Sequence, residues 1–265
     1  MTPTLKNPLA DRLKRGDLGL ALMIRHARTV DIALAASACG FDALYFDLQH
    51  SPLPENEVSQ MCVAALGAGV TPLVRIPDRD YGLALRMLDG GALGIVVPDC
   101  ANAADARAAV DACKYAPLGR RSGTSSFPHF GYRPVPTVEA RKILNDNTLL
   151  IIMIESVAAL EQVEAIAAVP GVDVLHIGSS DLSSDLGVPG ETTHPKVKAA
   201  FERIVAACRK HGKIPGIGGL AGADTQNYYY AIKLGARFMS AGNEWALMMA
   251  AGKERVKAIR GLHSV

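Results

Sequence analysis

Eight short apolar runs set the rhythm of the chain: GLALMI (19–24), ALYFDL (43–48), TPLVRI (71–76), GIVVP (94–98), LLIIMIE (149–155), DVLHIG (173–178), IPGIG (214–218) and FMSAG (238–242). Each is continuous rather than alternating, as in parallel strands covered on both faces. Ala-rich stretches with helical spacing separate them, at 30–39, 55–68, 81–88, 103–113, 156–168, 196–211 and 224–234. Gly40, Gly69, Gly212 and Gly235 stand where a helix closes on a left-handed residue. Eight strand–helix alternations over about 250 residues predict an α/β fold, a (β/α)8 TIM barrel, as a single domain over residues 1–265. A doubly wound open sheet is the competing architecture, but no GxGxxG turn follows the first strand.

Composition narrows the function. With 28 Lys+Arg against 26 Asp+Glu the net charge is +2, and basic residues form no long runs, so no nucleic-acid partner is expected. No apolar stretch approaches the roughly 18–20 residues of a membrane span. The first sixteen residues are too polar for a secretory core, and five scattered cysteines without CxxC argue against a disulfide or zinc scaffold. A cytoplasmic protein is expected. The segment between Pro98 and Leu149 is long for one βα unit, as in a lid or subunit contact. A last helix near 244–260 packs on the barrel or on a neighbour.

In such barrels the chemistry sits where strands end. Strand two ends Asp47-Leu-Gln-His50, strand three at Arg75, strand five at Glu155. Asp99 follows strand four, Gly178-Ser-Ser-Asp181 continues strand six, Gly216-Ile-Gly-Gly219 closes strand seven and Gly242-Asn-Glu244 follows strand eight. Glu155 directly continues an apolar run, so it needs a partner: a barrel arginine, or a metal ion shared with Asp181. Two carboxylates without thiolates suit Mg²⁺ or Mn²⁺ with open positions for substrate oxygens. His50 reads as a hydrogen-bonded loop histidine or as a base oriented by Asp47 or Asp89. Arg75 is a plug for a barrel carboxylate or a cation beside a developing oxyanion. The glycines from Gly216 cradle an anion or make a tight turn. Arg120 and Arg121 reach substrate or solvent, and His26 reads as packing. No lysine ends an apolar run, and Lys213 faces the opposite rim, which disfavours Schiff-base chemistry.

The stretches FDALYFDLQHSP (41–52), PLVRIP (72–77), LDGGALGIVVP (88–98), YAPLGRRSG (115–123), IIMIES (151–156) and VDVLHIGSSDLSSDLG (172–187), in this order, resemble the metal-dependent class II pyruvate aldolases. That family includes 2,4-dihydroxyhept-2-ene-1,7-dioate and 2-dehydro-3-deoxyglucarate aldolases, with macrophomate synthase a relative. The resemblance implies a homohexamer exchanging its C-terminal helix. It implies Glu155 and Asp181 as ligands of Mg²⁺, Mn²⁺ or Co²⁺, with a 2-oxo acid bound there. It implies Arg75 beside the ketone oxygen and His50 as base through a water, supported by Asp47 and Asp89. Amides near Ser180 and Asp181, and around Gly216 and Gly218, would hold the carboxylate; Arg121 would approach the aldehyde.

The activity implied is cleavage or formation of 4-hydroxy-2-oxo acids in catabolism of an aromatic or sugar acid. The rivals are an oxaloacetate decarboxylase or a macrophomate-synthase-like enzyme using the same enolate, a phosphate-binding isomerase, and a non-catalytic barrel that binds a 2-oxo acid. The sequence departs from the family pattern at Gln49 (often Glu), Met153 (often Gln), Ser179-Ser180 (usually Pro-Ala) and Ser122. The small side chains closing strand seven are expected to widen the space around the enolate carbon and admit a substituted donor.

Overall fold

A computed structural model describes residues 5–220 and 225–262. Its eight strands are β1 (Gly19–Ile24), β2 (Ala43–Asp47), β3 (Thr71–Arg75), β4 (Gly94–Val97), β5 (Leu149–Ile154), β6 (Val174–Gly178), β7 (Ile214–Gly218) and β8 (Phe238–Asn243). Each pairs in parallel with the next, and β8 returns to β1 with Phe238 opposite Gly19, closing the barrel. The predicted strands are all present, their ends shifted by a residue or so.

Successive side chains of a strand face opposite ways, which splits the apolar residues into two cores. Tyr45, Ile151, Met153 and Phe238 meet inside the barrel. Leu44, Phe46, Leu150, Ile152 and Ile154 join the helix faces outside it. This double burial is why the runs are unbroken in sequence. Where the chain needs a left-handed residue to leave a helix it uses glycine, as at Gly69 (φ 72°) and Gly212 (φ 63°).

Four features were not anticipated. A short helix, α1 (Pro8–Lys14), precedes the first strand and sends Leu9 and Leu13 into the inner core from below. Fully burying two leucines contributes about 3–6 kcal/mol. The long segment before β5 carries a helix at Thr137–Asn147, and Tyr115, Phe127, Phe130 and Leu144 give it a core of its own. The stretch 156–168 breaks at Gln162 into two short helices, Val157–Glu161 and Val163–Ala167. Another helix, Ser179–Asp185, starts directly on β6. The predicted helix over 224–234 runs from Thr225 to Leu234, and Asp224 lies outside the described residues. The final helix, Glu244–Leu262, has no buried residue.

Asn7 locks α1 to the barrel floor. Its Oδ1 accepts the Ala10 amide (3.0 Å) and the Thr71 hydroxyl (2.8 Å), and its Nδ2 donates to the carbonyls of Leu93 (3.3 Å) and Asn147 (2.6 Å). Asn7→Ala strands buried partners and removes a helix cap. The expected loss is about 3 kcal/mol. Calorimetry should show a fall in Tm of roughly 6–12 °C for a chain of this size.

Candidate active site

Strand register starts the site. Asp47 and Arg75 end β2 and β3 directly opposite each other. Arg75 donates Nε to Asp47 Oδ1 (2.9 Å) and Nη2 to Oδ2 (2.7 Å), a bidentate pair. Arg25, the first residue after β1, donates Nε to the same Oδ2 at 2.8 Å. The amides of Gln49 and His50 complete the set on Oδ1, both at 3.2 Å. Asp47 is wholly buried, which would raise its pKa; the two guanidiniums and the His50 amide outweigh this and hold it below the usual carboxylate range. The Arg75 guanidinium lies over the Tyr45 ring, 5.7 Å from its centroid.

Glu155 follows β5. Its Oε1 accepts the amide of Asp99, which sits at φ 55°, a left-handed position that aspartate tolerates. Gly178 makes room for it, since a Cβ there would come within 2.8 Å of Glu155 Oε2. Burial, and after it the charges of Asp99 and Asp181, push Glu155 up to about 7. No protein donor meets Oε2 among the described residues. A buried carboxylate with one open oxygen and a second carboxylate near it suits a hard cation with oxygen ligands. Among the described residues no cluster of three or more His, Cys, Asp or Glu side chains forms a fuller cage.

A cavity of about 200 Å³ opens beside these groups, walled by Arg25, Arg75, His50, Ser180, Asp181, Gly218 and Gly219. An adjoining hollow of about 350 Å³ is lined by Gln49, His50, Asp99, Glu155, Ser156 and Asp181. His50 and Asp181 border both. The residues thus converge on one rim, with cationic groups on one side and acidic groups on the other.

Residues 23–251 match the family described as HpcH/HpaI aldolase/citrate lyase. The chain belongs to the HpcH/HpaI aldolase/citrate lyase family. It is 38% identical over 259 residues to the 4-hydroxy-4-methyl-2-oxoglutarate aldolase of Hapsidospora irregularis, covering 97% of this chain and 96% of that one. The aldolase of the same description from Chaetomium globosum is 39% identical over 256 residues, with 96% and 95% covered. Among solved structures, an HpcH/HpaI aldolase from Desulfitobacterium hafniense DCB-2 superposes with a TM-score of 0.89 at 32% identity, covering 96% of this chain and 97% of that chain. The family is the one the ordered motifs resemble.

This HpcH/HpaI family member brings Asp47, His50, Arg75, Glu155, Ser180, Asp181 and Gly218 together, but not every expected residue. Asp47 holds the His50 amide and the two arginines; it makes no hydrogen bond to the imidazole. Asp89 pairs with Arg121 at 2.7 Å, and neither borders the two cavities. Arg121 is buried against the Tyr115 ring, its guanidinium 4.7 Å from the centroid, and within this chain it braces the long segment. Gly216 lies a layer deeper, where a Cβ would come within 2.9 Å of His176 and 3.0 Å of Phe238. Nor does Gly218 widen the cavity as expected. A Cβ there would lie 2.4 Å from Ser240 Oγ and 2.6 Å from His176 Nε2, so those side chains occupy the space. His26 packs on Trp245, ring centroids 5.1 Å apart.

Arg25, Tyr45, His176 and Ser240 border the cavity and were missed. Arg25 obeys the strand-end rule used for the others; the remaining three point inward from mid-strand, and sequence does not show which face of a doubly buried strand is which. His176 stacks near Phe238 (5.3 Å), and its Nδ1 has no partner among the described residues. Burial and the Arg75 charge lower its pKa to about 3. The unfolded chain therefore takes up this proton first on acidification. The stability it confers is present above the free imidazole value near 6.5 and is lost as pH falls from there toward 3. In urea titrations between pH 6.5 and 5, His176→Phe should lose less stability than wild type, by up to about 1.4 kcal/mol per pH unit. Parallel profiles would contradict a buried neutral imidazole.

Proposed function

We propose that the chain is an aldolase that cleaves, and in reverse forms, 4-hydroxy-2-oxo acids by way of a pyruvate-type enolate. The observation that carries this reading is the Arg75 guanidinium, fixed by Asp47 on the wall of a cavity it shares with Asp181, with Glu155 lining the adjoining hollow that Asp181 also borders. Family membership and the two 4-hydroxy-4-methyl-2-oxoglutarate aldolases support it, and that compound is the first substrate to assay. Glu155 and Asp181 would hold a divalent ion, Mg²⁺, Mn²⁺ or Co²⁺, and the ion when bound would supply Lewis acidity to the 2-oxo acid's oxygens.

The protein's own groups account for the remaining steps. In cleavage, His50 acts as base through a water and takes the proton of the C4 hydroxyl. The C3–C4 bond breaks, C4 leaves as a carbonyl, and the electron pair moves into the C2–C3 bond and onto the C2 oxygen. Arg75 faces that oxygen and stabilises the charge; its orientation is already set by Asp47, so little reorganisation is needed. A proton returned to C3 gives the 2-oxo acid. Amides at Ser179 and Ser180 hold the C1 carboxylate. Gly219 (φ 73°) leaves this cradle open, for a Cβ there would stand 3.1 Å from the Ser180 nitrogen.

NMR of pyruvate in D₂O tests enolate formation before any acceptor is known. Methyl exchange should require added divalent metal and fall by at least about 10²-fold in both Glu155→Gln and Arg75→Ala. Undiminished exchange in Glu155→Gln would reject the assignment.

The reading extends to assembly. The helix Glu244–Leu262 exposes Trp245, Leu247, Met248, Met249, Val256 and Ile259, an apolar load that a second copy of the chain would cover. A homohexamer with exchanged helices is the proposed arrangement. Light scattering should give about six times the chain mass, and Met248→Glu with Ile259→Glu should reduce it; an unchanged mass would remove this helix from the interface.

A further inference from the structure

Arg25 has no part in the enolate chemistry described above, yet it is built into the same cavity. Asp47 gives both oxygens to Arg75 and shares Oδ2 with Arg25 Nε, so one buried anion holds two cations and the trio keeps a charge of +1. The Arg75 side chain is 6% exposed and that of Arg25 is 33% exposed. The two Nη groups of Arg25 have no acceptor among the described residues. Its backbone is held as firmly as its side chain. Glu244 Oε1 accepts the amides of Arg25 (2.8 Å), His26 (2.5 Å) and Ala27 (3.1 Å). The three amides hold Glu244 below the ordinary carboxylate range against its own burial. A guanidinium anchored at both ends, with two nitrogens free beside a cavity, is a preorganised receptor for a carboxylate.

A substrate with a single carboxylate leaves this receptor empty, because its carboxylate goes to the cradle beside Gly219. We propose that Arg25 binds a second carboxylate, carried on C4 of the 4-hydroxy-2-oxo acid, and so selects dicarboxylic substrates. This rests on the aldolase reading and names its substrate class. The bond broken is unchanged; the second carboxylate departs with the C4 carbonyl product, which is then itself a 2-oxo acid. Arg75 at the ketone and Arg25 at the far carboxylate hold the C3–C4 bond between them, which orients it for cleavage.

The test compares kcat/KM for 4-hydroxy-2-oxoglutarate with that for 4-hydroxy-2-oxopentanoate, which carries a methyl in place of the second carboxylate. Wild type should prefer the dicarboxylate, and in Arg25→Ala the ratio should fall at least about tenfold, mainly through KM. Arg25→Lys keeps the charge but loses the fork and should fall at least about threefold. A ratio equal to wild type in Arg25→Ala overturns the proposal; if that variant does not fold, an unchanged ratio in Arg25→Lys does so. Methyl exchange of pyruvate in wild type reports on the aldolase reading alone. Exchange with an unchanged ratio removes only the role of Arg25, whereas absence of exchange removes the aldolase reading itself.

Discussion

One buried carboxylate organises the rim. Leaving Asp47 charged without partners would cost several kcal/mol, so the fold surrounds it with two guanidiniums and two amides. Its partners come from three places: the end of β3, the residue after β1, and its own loop. The pair with Arg75 is fixed by strand register alone, because Asp47 and Arg75 are Cα partners. A one-residue slip would point one of them into the helix layer and leave the other charge stranded. The same interaction therefore selects the register of the barrel and positions the cation at the site.

The opposite wall is balanced differently. Glu155 is buried without an ion pair among the described residues, and burial first, then the acidic neighbours Asp99 and Asp181, raise its pKa to about 7. On the positive wall Asp47 offsets one of the two guanidiniums, and on the negative wall no ion pair offsets Glu155 among the described residues. A field of this shape favours a cation on one side and an oxyanion between the two. Glu244 extends the arrangement outward. It is the first residue of the last helix and also the acceptor that gathers the amides after β1. The helix with the exposed apolar residues is thereby joined to the cavity wall through one carboxylate.

The barrel was legible because burial on both faces of eight strands leaves unbroken apolar runs that few other folds produce. His50, Arg75, Glu155 and Asp181 were legible because polar groups that interrupt such runs at strand ends must face the rim. The pairing of Arg121 with Asp89 was not, since it depends on how the long segment folds back on Tyr115. The helix Thr137–Asn147 was missed because only Ala140 and Leu144 of it are buried, too weak a stripe to stand out. Gly218 illustrates the converse error: a missing side chain reads as space, but the neighbours His176 and Ser240 had filled it.

By itself, the sequence determined the alternation of strands and helices, the closed barrel, and the convergence of charges on one end, because each follows from local hydrophobic patterning and from chain order. It also carried the motifs that resemble the family. Only the tertiary structure decided which charges pair. Asp47 took Arg25 and Arg75 rather than the His50 ring, and Glu155 took the Asp99 amide with one oxygen left open. Such choices depend on distances of a few ångströms between strands far apart in the chain, and electrostatic energies at that range are set by burial and geometry rather than by residue type.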